Sequence, residues 1–148
     1  MVGVDTTFLI DLFRNDERAI QVLETLSNSN ERIATTVINM AELYKGAFLH
    51  PNTEEKILEI EELRDLLIVL DMRVESAKYY GKIYADLKAK GKIANDRDIL
   101  IASILLSFGE RKIITRDKRH FSEISGIGDK WNRSYPVLTC TYLDSGIF

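Results

Sequence analysis

A chain of 148 residues with 45% hydrophobic content is sized for a single domain, and at that length about 70% of the unfolded surface is buried, enough for a core without disulfides. The lone Cys140 has no partner within the chain, and no basic segment precedes the first apolar run, so a reducing, cytoplasmic setting is expected and a disulfide-stapled secreted protein is not. A formal net charge of −3 removes any bulk attraction to nucleic acid, and the longest apolar run, Ile99 to Leu106, falls far short of the roughly 20 residues a membrane span needs.

Met1 to Val4 is a short apolar run ending at Asp5, and the spacing from Thr6 to Phe13 suits a helix, so the chain opens as a strand entering a helix N-terminus. A second helix is expected from about Asp16 to Ser27, with Ala19, Val22, Leu23 and Leu26 on one face and Asn15 as its cap. Arg32 to Thr36 reads as a second strand. After it, Val37, Met40, Ala41, Tyr44, Ala47 and Phe48 recur at helical spacing and predict a stripe facing the core. Past Pro51 another helix carries Ile57, Ile60, Leu63 and Leu67, and Leu67 to Leu70 reads as a third strand. Ala77, Tyr80, Tyr84 and Leu87 mark a further helix. The segment from Asp98 to Leu106 is apolar nearly all round, which predicts a deeply buried helix. Lys112 to Thr115 is a fourth strand, and Val137 to Thr139 is a candidate edge strand.

Helices alternating with short apolar strands predict an α/β fold, a three-layer α/β/α sandwich around a central, mostly parallel sheet. No repeat, low-complexity stretch or Pro/Gly/Ser-rich linker divides the sequence, so residues 1–148 read as one domain. Lys88, Lys90, Lys92 and Arg97 cluster before the apolar helix, and Arg111, Lys112, Arg116, Lys118, Arg119 and His120 cluster after it. Such runs are ordinary solvated surface unless a partner needs them.

Ligands of open α/β sheets bind beyond the carboxyl ends of the strands. Asp5 ends the first strand, Asp117 lies two residues past the fourth, Glu42 sits one to two turns into the helix after the second, and Asp98 starts the apolar helix. Glu42 lies off the apolar stripe, sharing a face with Ile38, Asn39 and Gly46, where Gly46 leaves space beside the carboxylate. Each acid also has a plain structural reading. Asp5 suits a helix N-cap, Asp96 or Asp98 a cap for the apolar helix, Asp117 a turn and Glu42 an exposed helix position.

Converging carboxylates would repel and raise one another's pKa without a cation. Oxygen-only ligation suits Mg²⁺ or Mn²⁺, whereas zinc prefers Cys and His, and Cys140, His50 and His120 show no ligand spacing. His50 reads as a loop residue and His120 as surface. Gly-rich phosphate loops, a G-x-G-x-x-G after a strand and a G-x-S-x-G elbow are absent. A haloacid-dehalogenase-like phosphatase would need a second acid where Thr7 stands.

Val2 to Asp11 resembles the opening strand and D-T-N/S segment of PIN domains, and Ile33 to Thr36 through Ala41-Glu42-Leu43 resembles the second motif. Gly91 to Ala102, containing Asp98, is similar to the third motif, and Ile113-Ile114-Thr115-Arg116-Asp117 with Phe121 to the fourth. The motifs stand in the family order over residues 2 to 121, with Thr7 where Asn is common, and resemble most the VapC-type toxins of prokaryotic toxin–antitoxin pairs. The resemblance implies Mg²⁺- or Mn²⁺-dependent endonucleolytic cleavage of RNA, a homodimer, and inhibition by a small cognate VapB-type antitoxin. It also implies that Asp5, Glu42 and Asp98 hold the principal ion and that Asp117 completes the cluster or helps a second ion. Thr7 and Thr115 would position ligands or water, and Arg116, Lys118 and Arg119 would meet backbone phosphates. Asp96 is a possible extra ligand, but its spacing suits an N-cap better. Two other readings use the same residues: a housekeeping or structure-specific PIN nuclease, and a non-catalytic PIN-like module. Tyr79, Tyr80 and Tyr84 motivate the oligomer.

Overall fold

The computed structural model describes residues 1–116, 121, 123 and 124, and the backbone of a strand at 139–142. The elements run β1 (Val2–Val4), α1 (Thr6–Phe13), α2 (Glu17–Asn28), β2 (Ile33–Thr36), α3 (Val37–Phe48), α4 (Thr53–Arg64), β3 (Ile68–Leu70), α5 (Val74–Ala89), α6 (Asp96–Ser107), β4 (Lys112–Thr115) and β5 (Thr139–Tyr142). Five strands form one sheet in the order β3-β2-β1-β4-β5, and every pairing is parallel.

Alternation along the strands divides the core in two, because successive side chains point to opposite faces. Val2, Val4, Ile33 and Ile114 pack with Phe8, Leu9, Ala19, Met40, Leu43 and Ile60 from α1 to α4. Ala34 and Ile113 face the other way, against Ile83 and Leu87 of α5 and the apolar residues of α6. These are the two outer layers of the expected sandwich, and α6 is the buried helix the sequence predicts. Gly3 makes the fit on that second face possible, since a Cβ there would stand 2.7 Å from Leu105 Cδ2 and 3.0 Å from the Lys112 carbonyl.

Several local expectations need correction. The buried residues of α3 are Asn39, Met40, Leu43 and Ala47, whereas Val37 is 37% and Phe48 67% exposed; a buried polar network at Asn39 rotates the helix away from its most apolar stripe. In α5 the buried positions are Ser76, Ile83 and Leu87, while Ala77 and Tyr84 face out. Asp16, not Asn15, caps α2, accepting from the Arg18 and Ala19 amides, because Asn15 has φ +53° and turns the chain instead. Asn95 caps α6 through the Arg97 amide, which leaves Asp96 inside the first turn, where it accepts from the Tyr80 hydroxyl at 3.0 Å. The edge strand begins at Thr139, and Val137 and Leu138 lie outside the described residues.

Candidate active site

Strand order decides where a ligand can sit. From β1 the chain moves outward to β2 and β3, then returns past β1 to place β4 on its other side. The carboxyl ends of β1 and β4 therefore flank the point where the winding reverses, and there the loops diverge and leave a crevice. Asp5 follows β1 and Thr115 ends β4, and the two meet there.

Asp5 is extended, with φ −98° and ψ 176°, and caps α1 by accepting from the Phe8 amide at 3.1 Å. The same oxygen accepts from Thr7 Oγ1 at 2.7 Å, and the other accepts from Thr115 Oγ1 at 2.6 Å. Thr7 in turn accepts from the Arg116 amide at 3.0 Å, which ties the exit of β4 to the first turn of α1. Asp5 is 5% exposed. Its burial raises the carboxyl pKa above the ordinary carboxylate range, while the hydrogen bonds from Thr115, Thr7 and Phe8 pull the other way. These hydrogen-bond partners are two hydroxyls and an amide, none of them positively charged. The capping and active-site readings of Asp5 are thus compatible in one geometry.

A second acid is held by the hydroxyl next to Thr7 in sequence. Thr36 caps α3 in a capping box with Asn39, and Asn39 Oδ1 accepts from the Thr36 amide and hydroxyl at 3.2 and 2.7 Å. That leaves Asn39 Nδ2 to donate to Thr6 Oγ1 at 3.0 Å, and Thr6 donates onward to Glu42 Oε2. Adjacent hydroxyls of α1, Thr6 and Thr7, thus hold Glu42 and Asp5 respectively. Gly46, one turn past Glu42, has nothing within 4 Å of where a Cβ would be, and a cleft of about 380 Å³ lined by Ile10, Phe13, Glu42, Gly46 and His50 opens there. His50 sits in the loop and accepts from the Asn52 amide at 3.0 Å, as the sequence suggests.

Asp98 stands half-buried in the first turn of α6. Its neighbour Arg97 reaches across to α3 and bonds Glu42 Oε1 at 2.5 Å, so the start of α6 lies against the same acid. Asp117, Lys118 and Arg119 lie outside the described residues. Among the described residues no three Asp, Glu, His or Cys side chains form a ready-made metal cage. The donor chemistry nonetheless suits a hard divalent cation: the acids offer oxygen only, and Asp5 is a buried carboxylate with neutral partners.

Arg116, expected to face phosphate, has another partner in the structure. It pairs with Asp11 at 2.8 Å, and because Asp11 is almost fully buried, the guanidinium compensates a carboxylate that would otherwise be stranded. Thr6, Asn39 and Arg97 escaped the sequence reading as site residues. Asn39 left a local trace in the capping pattern Thr36-x-x-Asn39 and in its place on the Glu42 face of the helix.

The chain is similar to proteins of one known family. Residues 2–127 match the PIN domain family. Ribonuclease VapC1 of Haemophilus influenzae strain R2866 is 32% identical over 124 residues, covering 84% of this chain and 92% of the relative. The VapBC-1 structure from nontypeable Haemophilus influenzae aligns with a TM-score of 0.78 at 29% identity, over 97% of this chain and 98% of that one. VapBC2 from Rickettsia felis, solved bound to a DNA fragment from its promoter, gives a TM-score of 0.81 over 97% and 100%; at 23% identity that likeness is one of fold. With the family match running through nearly all the described chain, and the acids of the first two motifs bonded to adjacent threonines of α1, the protein belongs to the PIN-domain family.

Proposed function

We propose that this chain is a Mg²⁺- or Mn²⁺-dependent endoribonuclease, the toxin of a VapBC-type toxin–antitoxin pair, with Asp5, Glu42, Asp98 and Asp117 as its metal-holding acids. The observation that carries the reading is the Asp5 carboxylate, buried at the winding reversal and met by neutral donors. A charge kept in such a place needs compensation, and a divalent cation supplies it. When bound, the ion would lower the pKa of a coordinated water and offset charge developing on the scissile phosphate. The protein's own task is placement. Thr7 and Thr115 fix both oxygens of Asp5, the Asn39–Thr6 relay fixes one oxygen of Glu42, and Asp98 stands in the first turn of α6, beside the Arg97 that bonds Glu42.

RNA as the substrate and a small VapB-type antitoxin as the partner rest on the names of the relatives and of the solved complexes. A cytoplasmic location rests on the lone Cys140 and on that substrate. Among the described residues no helix is long and apolar enough to cross a membrane. A homodimer is proposed from the family and from the partly exposed Tyr80–Tyr84 stack on α5, with ring centroids 6.0 Å apart.

The test is cleavage of mixed structured RNAs by purified, antitoxin-free protein with Mg²⁺ or Mn²⁺, alongside Asp5→Asn and EDTA. Cleavage lost in both controls is the expected result. Activity that survives EDTA or Asp5→Asn refutes the metal site, and light scattering of the same preparation at monomer mass refutes the dimer.

A further inference from the structure

Of the basic residues around the start of α6, Lys90 pairs with Asp86, Lys92 with Glu123 and Arg97 with Glu42. Arg97 lies in the first turn of α6, where the helix dipole disfavours a cation. Its own turn offers Asp96 and Asp98, yet its guanidinium crosses to Glu42, 55 residues away in sequence. It therefore serves Glu42 more than it serves its helix.

The two oxygens of Glu42 are held in different ways. Oε2 is fixed by Thr6, which Asn39 holds in turn, and Asn39 is 0% exposed. That relay is built into the packing between α1 and α3. Oε1 is held by Arg97, whose side chain is 54% exposed. An exposed arginine on a long flexible stem leaves such a pair at a net loss of only a fraction of the energy of a buried one. A divalent cation that needs Glu42 must take Oε1, and the group in its way is the mobile member of the pair.

We propose that Arg97 is a displaceable counterion for Glu42 that competes with the divalent cation and so sets the cation affinity of the site. The inference rests on the metal-dependent reading above and goes beyond it by assigning a role to a residue that is not itself a ligand. With no cation bound, the guanidinium neutralises Glu42 and keeps the acids from repelling one another. When the cation arrives, Arg97 must release Oε1 and leave, since a positive charge in contact with the ion would oppose binding.

The experiment is calorimetric titration of the full chain with Mn²⁺ in the absence of RNA, comparing wild type, Arg97→Gln and Arg111→Gln. Gln keeps the helix propensity and much of the stem. Arg111 is exposed at the amino end of β4, the opposite end of the sheet from the acids, so its loss changes net charge equally without touching Glu42. Arg97→Gln is expected to tighten the Mn²⁺ Kd by about three- to tenfold relative to Arg111→Gln, the scale of removing one partly solvated ion pair. Thermal melts of the three proteins without metal confirm that each is folded. Equal Kd values for Arg97→Gln and Arg111→Gln overturn the counterion role and leave the metal site standing. Weaker binding by Arg97→Gln overturns it in favour of a support role for Glu42. Absence of Mn²⁺ binding by all three overturns the inference together with the metal-dependent reading.

Discussion

Asp5→Asn should stabilise the metal-free protein while abolishing its activity. The carboxylate is 5% exposed, and burial raises its pKa above the ordinary 3.8, so ionised Asp5 costs the folded state something it does not cost the unfolded chain. Asn is as good an N-cap as Asp, and its Oδ1 still accepts from the Phe8 amide and Thr7. Facing its Nδ2, the Thr115 hydroxyl reverses from donor to acceptor. The net gain is about 1 kcal/mol, the usual scale for relieving a functional-site conflict, which corresponds to a rise in Tm of about 2–4 °C for a domain of this size. The sign with pH follows. Both states are protonated below the ordinary value, so the difference between variant and wild type vanishes there; it grows as pH rises above 3.8 and levels off once pH passes the raised folded-state pKa. Circular-dichroism melts in EDTA from pH 4 upward read this directly. A variant less stable than wild type at neutral pH, or a gain that grows toward acid, refutes the claim that desolvation dominates at Asp5.

Two further variants probe the frame around the site. Asn39→Ala removes the fully buried middle of the relay, leaving the Thr36 and Thr6 hydroxyls short of a partner, and should cost about 2–3 kcal/mol in urea unfolding together with a loss of RNA cleavage; a shift under 0.5 kcal/mol would show the relay to be idle. Gly3→Ala drives a methyl to 2.7 Å from Leu105 Cδ2, a side chain with 0% exposure, and to 3.0 Å from the Lys112 carbonyl, so it should cost about 1–3 kcal/mol by overpacking, and an unchanged denaturation midpoint would mean that the sheet and α6 yield freely.

How much of this the sequence discloses depends on the range of the interaction involved. The strand Lys112–Thr115 is legible to the residue, because an apolar pair bounded by Lys and Thr inside a basic run has only one compact reading. The apolar α6 and the alternation of helices and strands likewise announce two covered sheet faces. The face of α3 misleads because its most deeply buried residue, Asn39, is polar; hydropathy counts it as surface, and its burial depends on Thr6 and Thr36 satisfying it. Caps fail by one residue in α2 and α6 since Asn15-Asp16 and Asn95-Asp96 offer two equivalent side chains in a row, and backbone geometry makes the choice. Of the site, Asp5 and Glu42 are bonded by the adjacent Thr7 and Thr6 of α1, and Asp98 lies at the start of the helix whose Arg97 reaches Glu42. The pairs Arg97–Glu42 and Arg116–Asp11 join residues 55 and 105 apart, and no local pattern announces them.

The bond from Thr115 to Asp5 spans 110 residues. Asp5 is synthesised 110 residues before Thr115, so one oxygen of the carboxylate waits for a partner that follows only after eight other described elements, α1 to α6 with β2 and β3, have been made. β1 is also the middle strand, and its pairing with β4 closes the longest loop described in the sheet, a late event because loop-closure entropy must be met before the contact repays it. A nascent or truncated chain therefore carries the first acid without its setting, and the site matures as one of the last steps of folding.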